Sequence, residues 1–228
     1  MPTLLCIDTS SASCSVALSR GDEILLEIEN TPQKHSERVL EMCDALLTQA
    51  GIGVNELDAL GISQGPGSFT GVRIGVSVAQ GIAFAANLPV VAVSSLALLA
   101  QQTYRSYQAA NVLCLSDARM GEMYFGAFSL QDGLMTAIAK EGLIKPEEFT
   151  FINTADSWVS CGSAWEEYHC ELSTLKESFD DIYSDIHVCA DNLVPYVKHA
   201  LKTNNTVTAI ELQPVYLRNK VAEKAKKM

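Results

Sequence analysis

The chain has 228 residues, room for one large domain or two modest ones. Hydrophobic residues make up 48% and charged residues 19%, so a core can form without disulfide or metal staples. The net charge of −11 argues against a general grip on phosphate backbones and leaves room only for a local basic patch. Residues 3–8, Thr-Leu-Leu-Cys-Ile-Asp, form a continuous apolar run ending in a carboxylate and predict a central strand. Thr9 to Ser13 is a small polar turn; Cys14, Val16 and Leu18 alternate with small residues as a second strand, and Glu23–Glu29 makes a third. A helix follows from about Ser36 to Ala50, stopped by Gly51 and Gly53. His35, just before it, reads as a cap or surface residue.

A strand near Ala59–Ser63 leads into Gln64-Gly65-Pro66-Gly67-Ser68-Phe69-Thr70-Gly71-Val72-Arg73-Ile74-Gly75. Gly65-Pro66-Gly67 reads as a tight turn, and Ser68 or Thr70 as the cap of the next helix. In that helix Gly71, Gly75, Ala79 and Ala83 recur every four residues as a ridge almost without side chains. Interior glycines cost about 1 kcal/mol each against Ala, so something must pack close to this ridge. Two readings stay open for the loop: a close-packed core turn, or backbone N–H groups that hold an anion.

Asn87-Leu88-Pro89 ends that helix, Val90–Val93 is a buried strand, and Ser94 or Ser95 caps a helix to about Thr103. Tyr104–Ala110 reads as a polar hinge between lobes, giving domains at 1–105 and 106–228. Asn111–Leu115 is an apolar strand that again ends near an acid, Asp117. Met123–Leu130 and Leu134–Ile144 make a hairpin about Asp132-Gly133. A short helix start at Pro146, a strand at Trp158–Cys161 and a helix over Ala190–Leu201 complete the second lobe, which loosely echoes the first. From Arg218 the tail carries Lys220, Lys224, Lys226 and Lys227, either as a solvated end or as a contact for RNA or an acidic neighbour.

The seven cysteines have no C-x-x-C pair and several sit in apolar runs, which reads as reduced, cytoplasmic protein. No secretory leader is expected, and no apolar run approaches the roughly 20 residues of a membrane span. Asp8, Thr9 and Ser10, with Gly65, are the candidate residues for a nucleotide phosphate and Mg²⁺; strand-end punctuation is the alternative. Asp117, Arg119, Glu122 and Tyr124 either pair charges across a cleft or form a salt-bridged strand end. Neither a Walker A loop nor H-E-x-x-H occurs.

Five stretches together resemble one family: Ile7–Ser11, His35-Ser36, Gly65–Gly75, Asp117–Tyr124 and Pro214-Val215-Tyr216-Leu217-Arg218. It is the bacterial threonylcarbamoyladenosine-biosynthesis subunit TsaB, or YeaZ, and the similarity runs from about residue 3 to 220. The resemblance implies an α/β, two-lobed fold of the actin, Hsp70 and sugar-kinase kind, each lobe a mixed sheet flanked by helices. It implies a role in attaching a threonylcarbamoyl group to adenosine beside the tRNA anticodon. The related subunit TsaD carries the transfer chemistry on two metal-binding histidines four residues apart. Ser95 and Leu99 stand at those positions here, and Leu cannot bind a metal. Cys161-Gly162-Ser163 has one glycine where the fold commonly uses two behind adenosine.

These departures point to a non-catalytic scaffold subunit. The resemblance implies that the helices at 36–50 and 70–86 pair with the equivalent helices of TsaD, or with a second copy in a homodimer. Ser36, Val39, Leu40, Cys43, Leu47, Gly71, Arg73, Gly75, Val76, Ala79 and Ala83 are the expected partner surface. A TsaE-type ATPase and, indirectly, tRNA are the further partners implied; ATP or ADP with Mg²⁺ between subunits stays open. The alternative is a phosphotransferase or peptidase of the same fold acting alone.

Overall fold

The structure, a computed structural model, describes residues 1–30, 35–152 and 157–218. Strands β1 (Thr3–Asp8), β2 (Cys14–Arg20) and β3 (Glu23–Glu29) form an antiparallel meander. Helix α1 (His35–Ala50) follows, then β4 (Ala59–Ser63), α2 (Phe69–Ala86), β5 (Val90–Val93) and α3 (Ser95–Tyr107). The meander joins β4 and β5 in a five-stranded sheet of order β3-β2-β1-β4-β5, with β1, β4 and β5 parallel. The second sheet contains β6 (Asn111–Asp117), β7 (Met123–Gln131), β8 (Leu134–Ala137), β9 (Gly142–Ile144), β10 (Val159–Cys161) and β11 (Asp181–Tyr183). Its order, β8-β7-β6-β10-β11, repeats the first: an antiparallel meander followed by two parallel additions. The echo heard in Asp8 and Asp117 is therefore a repeated topology, each acid ending the first strand of its sheet. This is the two-lobed α/β arrangement expected of the fold.

Three apolar clusters hold it together. Helices α3 and α5 (Leu193–Thr203) lie between the sheets, where Leu98, Ala100, Leu193 and Val197 meet Leu4, Cys6, Cys114 and Phe128. Helices α1 and α2 cover the outer face of the first sheet through Val39, Met42, Leu46, Val72, Val76 and Ala79. Trp158, Trp165 and Phe179 anchor a third cluster on the outside of the second sheet, behind α4 (Ala164–Glu167). The thiols of Cys6, Cys14, Cys43, Cys114 and Cys161 are buried and unpaired by disulfides.

Several expectations change. Helix α3 runs through the expected hinge to Tyr107, because Leu98–Gln101 and Thr103 are buried and draw its polar end along with them. The stretch Leu134–Ile144 divides into β8 and β9, both paired with β7. A boundary at 105/106 separates the two sheets, but α5 packs back on β4, β1 and β5. Residues 204–218 form a C-terminal strap that also returns to the first lobe, bonding Val207 to Val90 and Val215 to Gln64. Arg218 is not a frayed end: its guanidinium is 2.6 Å from Glu122 Oε2 and also meets the Arg119 carbonyl at 2.9 Å. The lysines beyond it, and the side chain of His35, lie outside the described residues.

Candidate functional site

Asp8 is buried at the end of β1, where its Oδ1 accepts from the Ser10 N–H at 3.1 Å and the Ser10 hydroxyl at 2.7 Å. Next to it the Thr9 hydroxyl donates to the Gly71 carbonyl at 2.7 Å, and the Ser68 N–H donates to the Ser10 carbonyl at 2.8 Å. The start of α2 is thereby clamped against the β1–β2 turn. A Cβ on Gly67 would lie 2.2 Å from Ser10 O, one on Gly71 2.1 Å from Thr9 O, and one on Gly75 2.3 Å from Thr9 Oγ1. Each distance is far inside van der Waals contact, so only glycine permits this approach.

The small-residue ridge consequently faces inward, which corrects the expected partner surface. Gly71, Gly75, Val76, Ala79 and Ala83 pack on their own sheet, and so do Val39, Cys43 and Leu47 of α1. Of the expected interface residues only Ser36, Leu40 and Arg73 are exposed. Helical periodicity alone finds two faces of α2 without saying which one meets the sheet. The outward face carries Arg73, Ser77, Gly81 and Ala85 at four-residue spacing, with Phe84 beside them. Ile74, Val78 and Ile82 are half-buried along its flank. Phe84 is 73% exposed and Leu40 of α1 is 53% exposed. Nothing in the chain lies within 4 Å of a Cβ placed on Gly81. The outward positions missed from sequence had one signal: Gly81 falls outside the 71-75-79-83 register, so its missing side chain serves another face.

By length and composition α2 could cross a membrane, with mean hydropathy 1.3 over 18 residues, against the expectation that no run approaches a span. Only 33% of it is buried. Its inner face is a layer of this domain, Ile74, Val78 and Ile82 are half-buried beside it, and Phe69 and Phe84 are the large apolar side chains left exposed.

Between the lobes opens a cleft of about 830 Å³. Ser10, Ser11 and the Gly67–Phe69 loop form one wall, and Ser116, Asp117, Arg119 and Ser163 face it from the other sheet. Of the candidate nucleotide residues, Ser10 lines this space, whereas Asp8, Thr9 and Gly65 lie behind the lining. The Ser68 hydroxyl accepts from Gly71 N–H at 3.2 Å, so capping and clamping occupy part of the amide set an anion would need. At the rear Ser95 is hydrogen-bonded to Ser63 at 2.7 Å, and Leu99 packs on Gly162. Gly162, at φ +112°, sits so close to the Leu115 carbonyl that a Cβ would approach it to 2.3 Å. Among the described residues no three His, Cys, Asp or Glu side chains converge as a metal site would require.

The opposite wall is a charged turn. Arg119 pairs with Asp117 at 3.2 Å, and its backbone N–H donates to Asp117 Oδ1 at 2.7 Å. The Tyr168 hydroxyl also donates to that oxygen, at 2.8 Å. Burial, and then that acceptor, raise the Tyr168 phenol, and burial raises Tyr124. Both stay protonated near neutral pH. The salt-bridged strand end, one of the two readings of this acid, is what the structure contains.

Residues 27–226 match the family model of TsaD, the tRNA N6-adenosine threonylcarbamoyltransferase. The chain is 35% identical to the tRNA threonylcarbamoyladenosine biosynthesis protein TsaB of Escherichia coli, over 97% of this chain and 96% of that one. The Haemophilus influenzae protein of the same name matches at 35% over the same shares. Among solved structures, a Pseudomonas aeruginosa protein described as similar to the peptidase YeaZ superposes with a TM-score of 0.89 at 37% identity, covering 96% of this chain and all of that one. YeaZ from P. aeruginosa gives 0.87 at 37% identity over 95% of this chain and all of that one. With near-complete coverage in both sequence and structure, the chain belongs to the TsaB family of tRNA threonylcarbamoyladenosine biosynthesis proteins.

Proposed function

We propose that this chain is a non-catalytic subunit that docks, through the outward faces of α1 and α2, on a TsaD-type transferase and supports its working state in the cytoplasm. One observation carries the reading: α2 has a mean hydropathy of 1.3 yet only a third of its residues are buried, with Phe84 and the open ridge at Gly81 facing outward. A ridge of small residues lets a partner helix approach closely, and an exposed aromatic beside it supplies a contact of the hot-spot kind. Because the transferase's family model also describes this chain, partner and chain share a fold. A second copy of the chain is then the natural competitor for the same face. A TsaE-type ATPase and tRNA are met through the assembled complex.

The cleft supports the non-catalytic half of the reading. By the resemblance to TsaD, Ser95 and Leu99 of α3 stand where that subunit's two metal-binding histidines would be; here the Ser95 hydroxyl is bonded to Ser63 and Leu99 packs on Gly162. These residues do not fit a metal, and no step is assigned to one. Two amides at the start of α2 are already engaged within the chain, that of Ser68 by the Ser10 carbonyl and that of Gly71 by the Ser68 hydroxyl, which leaves fewer donors for a nucleotide phosphate.

The test mixes purified chain with the TsaD-type transferase of the same genome and follows both complex formation and tRNA modification. Modification is expected to need both chains, and Phe84→Glu is expected to remove pairing and modification together. Full modification by the transferase alone, or modification by this chain alone, would overturn the proposal.

A further inference from the structure

Arg73 is held in a way that docking of an apolar face does not require. It is exposed near the start of α2, with its guanidinium carbon 3.7 Å from the centroid of the Phe69 ring and 5.4 Å from that of Tyr216. Its Nε donates to the Tyr216 hydroxyl at 2.7 Å. The two rings lie 5.7 Å apart and tilted by 40°. Tyr216 is delivered to this place by the strap: Val215 N–H donates to Gln64 O at 2.8 Å, and Gln80 Nε2 to Leu212 O at 2.8 Å. The far end of the strap is fixed by Arg218, whose Nε and Nη2 meet Glu122 Oε2 at 3.0 and 2.6 Å. The motif Pro214–Arg218 thus acts as a bracket, gripping the second lobe at one end and orienting an arginine of the first lobe at the other.

The charge at the end of this bracket is unanswered. Arg38, Arg105, Arg119 and Arg218 each have a carboxylate partner, whereas Arg73, like Arg20, forms no ion pair among the described residues. What sets Arg73 apart is that its guanidinium is nonetheless fixed, by the Phe69 ring and the Tyr216 hydroxyl. Stacking on Phe69 and the bond to Tyr216 restrict the guanidinium, so little freedom is left to lose when a ligand arrives. Its two Nη groups are not used within the described chain. The Tyr216 hydroxyl accepts from Nε and keeps its own hydrogen to donate. A planar two-oxygen anion matches such a fork bidentately.

We infer that Arg73 and Tyr216 form a preorganised receptor for a carboxylate side chain of the protein that docks on α2. The inference rests on the docking reading above and adds to it the chemistry of the partner: an Asp or Glu opposite Arg73, near the start of α2. A phosphate of RNA is the other anion with suitable geometry, and a chain of net charge −11 repels it. Phe69 and Tyr216 serve as positioning residues, and the acid they serve sets the register of the two chains.

The experiment titrates the TsaD-type transferase into wild type, Arg73→Gln, Arg73→Lys, Tyr216→Phe and Gly81→Arg by calorimetry at low and moderate salt. Arg73→Gln is expected to weaken pairing about tenfold or more and to flatten its salt dependence. Arg73→Lys keeps the charge without the fork and should recover only part of the loss. Tyr216→Phe keeps the ring and should cost a few-fold. Thermal unfolding should stay within about 2 °C of wild type for these rim variants, because surface changes alter stability little. If Arg73→Gln pairs as tightly as wild type while Gly81→Arg abolishes pairing, the receptor is refuted and the docking face stands. If Gly81→Arg also pairs normally, the docking reading itself fails. If Arg73→Gln instead lowers tRNA retention in a gel shift and leaves protein pairing unchanged, the carboxylate assignment is overturned in favour of phosphate.

Discussion

Gly75 and Gly81 lie on opposite faces of α2, and alanine at each is expected to move stability in opposite directions. At Gly75 the new Cβ would stand 2.3 Å from Thr9 Oγ1 and 3.2 Å from Ile62 Cδ1. Thr9 cannot yield without losing its 2.7 Å bond to the Gly71 carbonyl, in a site closed to water. Leaving that group unsatisfied costs about 1–3 kcal/mol, and overpacking adds about 1–3 kcal/mol. Against these, replacing an interior helical glycine by alanine recovers about 1 kcal/mol. Gly75→Ala should therefore destabilise by about 1–5 kcal/mol. At Gly81 nothing lies within 4 Å, so only the propensity gain remains, about 0.5–1 kcal/mol in favour of alanine. For a chain of this size 1 kcal/mol is about 2–4 °C in Tm, so Gly75→Ala should melt several degrees below wild type and Gly81→Ala slightly above it. Urea unfolding with unchanged slope is the cleaner assay, since an equal slope means that the denatured states are comparable. A Gly75→Ala protein as stable as wild type would refute the inward packing of the ridge, and with it the assignment of the opposite face to a partner.

Other expectations follow from the same geometry. Cys170 is exposed while Cys6, Cys14 and Cys43 are buried with thiols pushed up to about 12, so a maleimide should label Cys170 first and reach those three only on unfolding. Fast labelling of Cys43 in the native chain would contradict the packing of α1. Burial raises the Glu141 carboxyl, partly offset by its bond from Ser94. A raised carboxyl keeps its contribution to stability below its unfolded value and loses it as pH rises through its folded value. Glu141→Gln should therefore gain on wild type as pH rises above the ordinary carboxylate range in parallel melts; a gap that closes with rising pH would contradict this. Arg218→Gln leaves Glu122 and the Arg119 carbonyl without their guanidinium, in a pair only 16% exposed on the arginine side. A loss of about 1–3 kcal/mol in urea unfolding is expected, and no change would mean that the strap does not hold the second lobe.

Much of the fold was legible because local chemistry and tertiary packing agree. Asp132-Gly133 makes the hairpin turn expected of it, with both residues at positive φ. Asn87 ends α2 at φ 52°, and Ser68 and Ser94 cap the helices that follow them. The reading failed where a segment depends on distant partners. Nothing local in Leu134–Ile144 says that β7 will pair with two short strands in turn. Strand β11 is three residues long and exists by its parallel pairing with β10.

The site was legible in part for the same reason. The ridge at 71, 75, 79 and 83 announces a close approach, and its partner proved to be Thr9 of the same chain. The side chains that face outward are ordinary in type and are recognised only by their exposure. Tyr216 and Arg73 are 143 residues apart, so no local pattern joins them. That Arg218 belongs to the cleft wall and not to a basic tail depends on Glu122, at the other end of a long loop closure.

The central claim is that the open side of α2 is where this subunit does its work, and the mass of its complex tests it most directly. Light scattering on an equimolar mixture with the TsaD-type transferase should give one species of the summed mass for wild type, and two separate chains for Phe84→Glu with its melting temperature intact. A Phe84→Glu variant that still elutes at the summed mass would contradict the account.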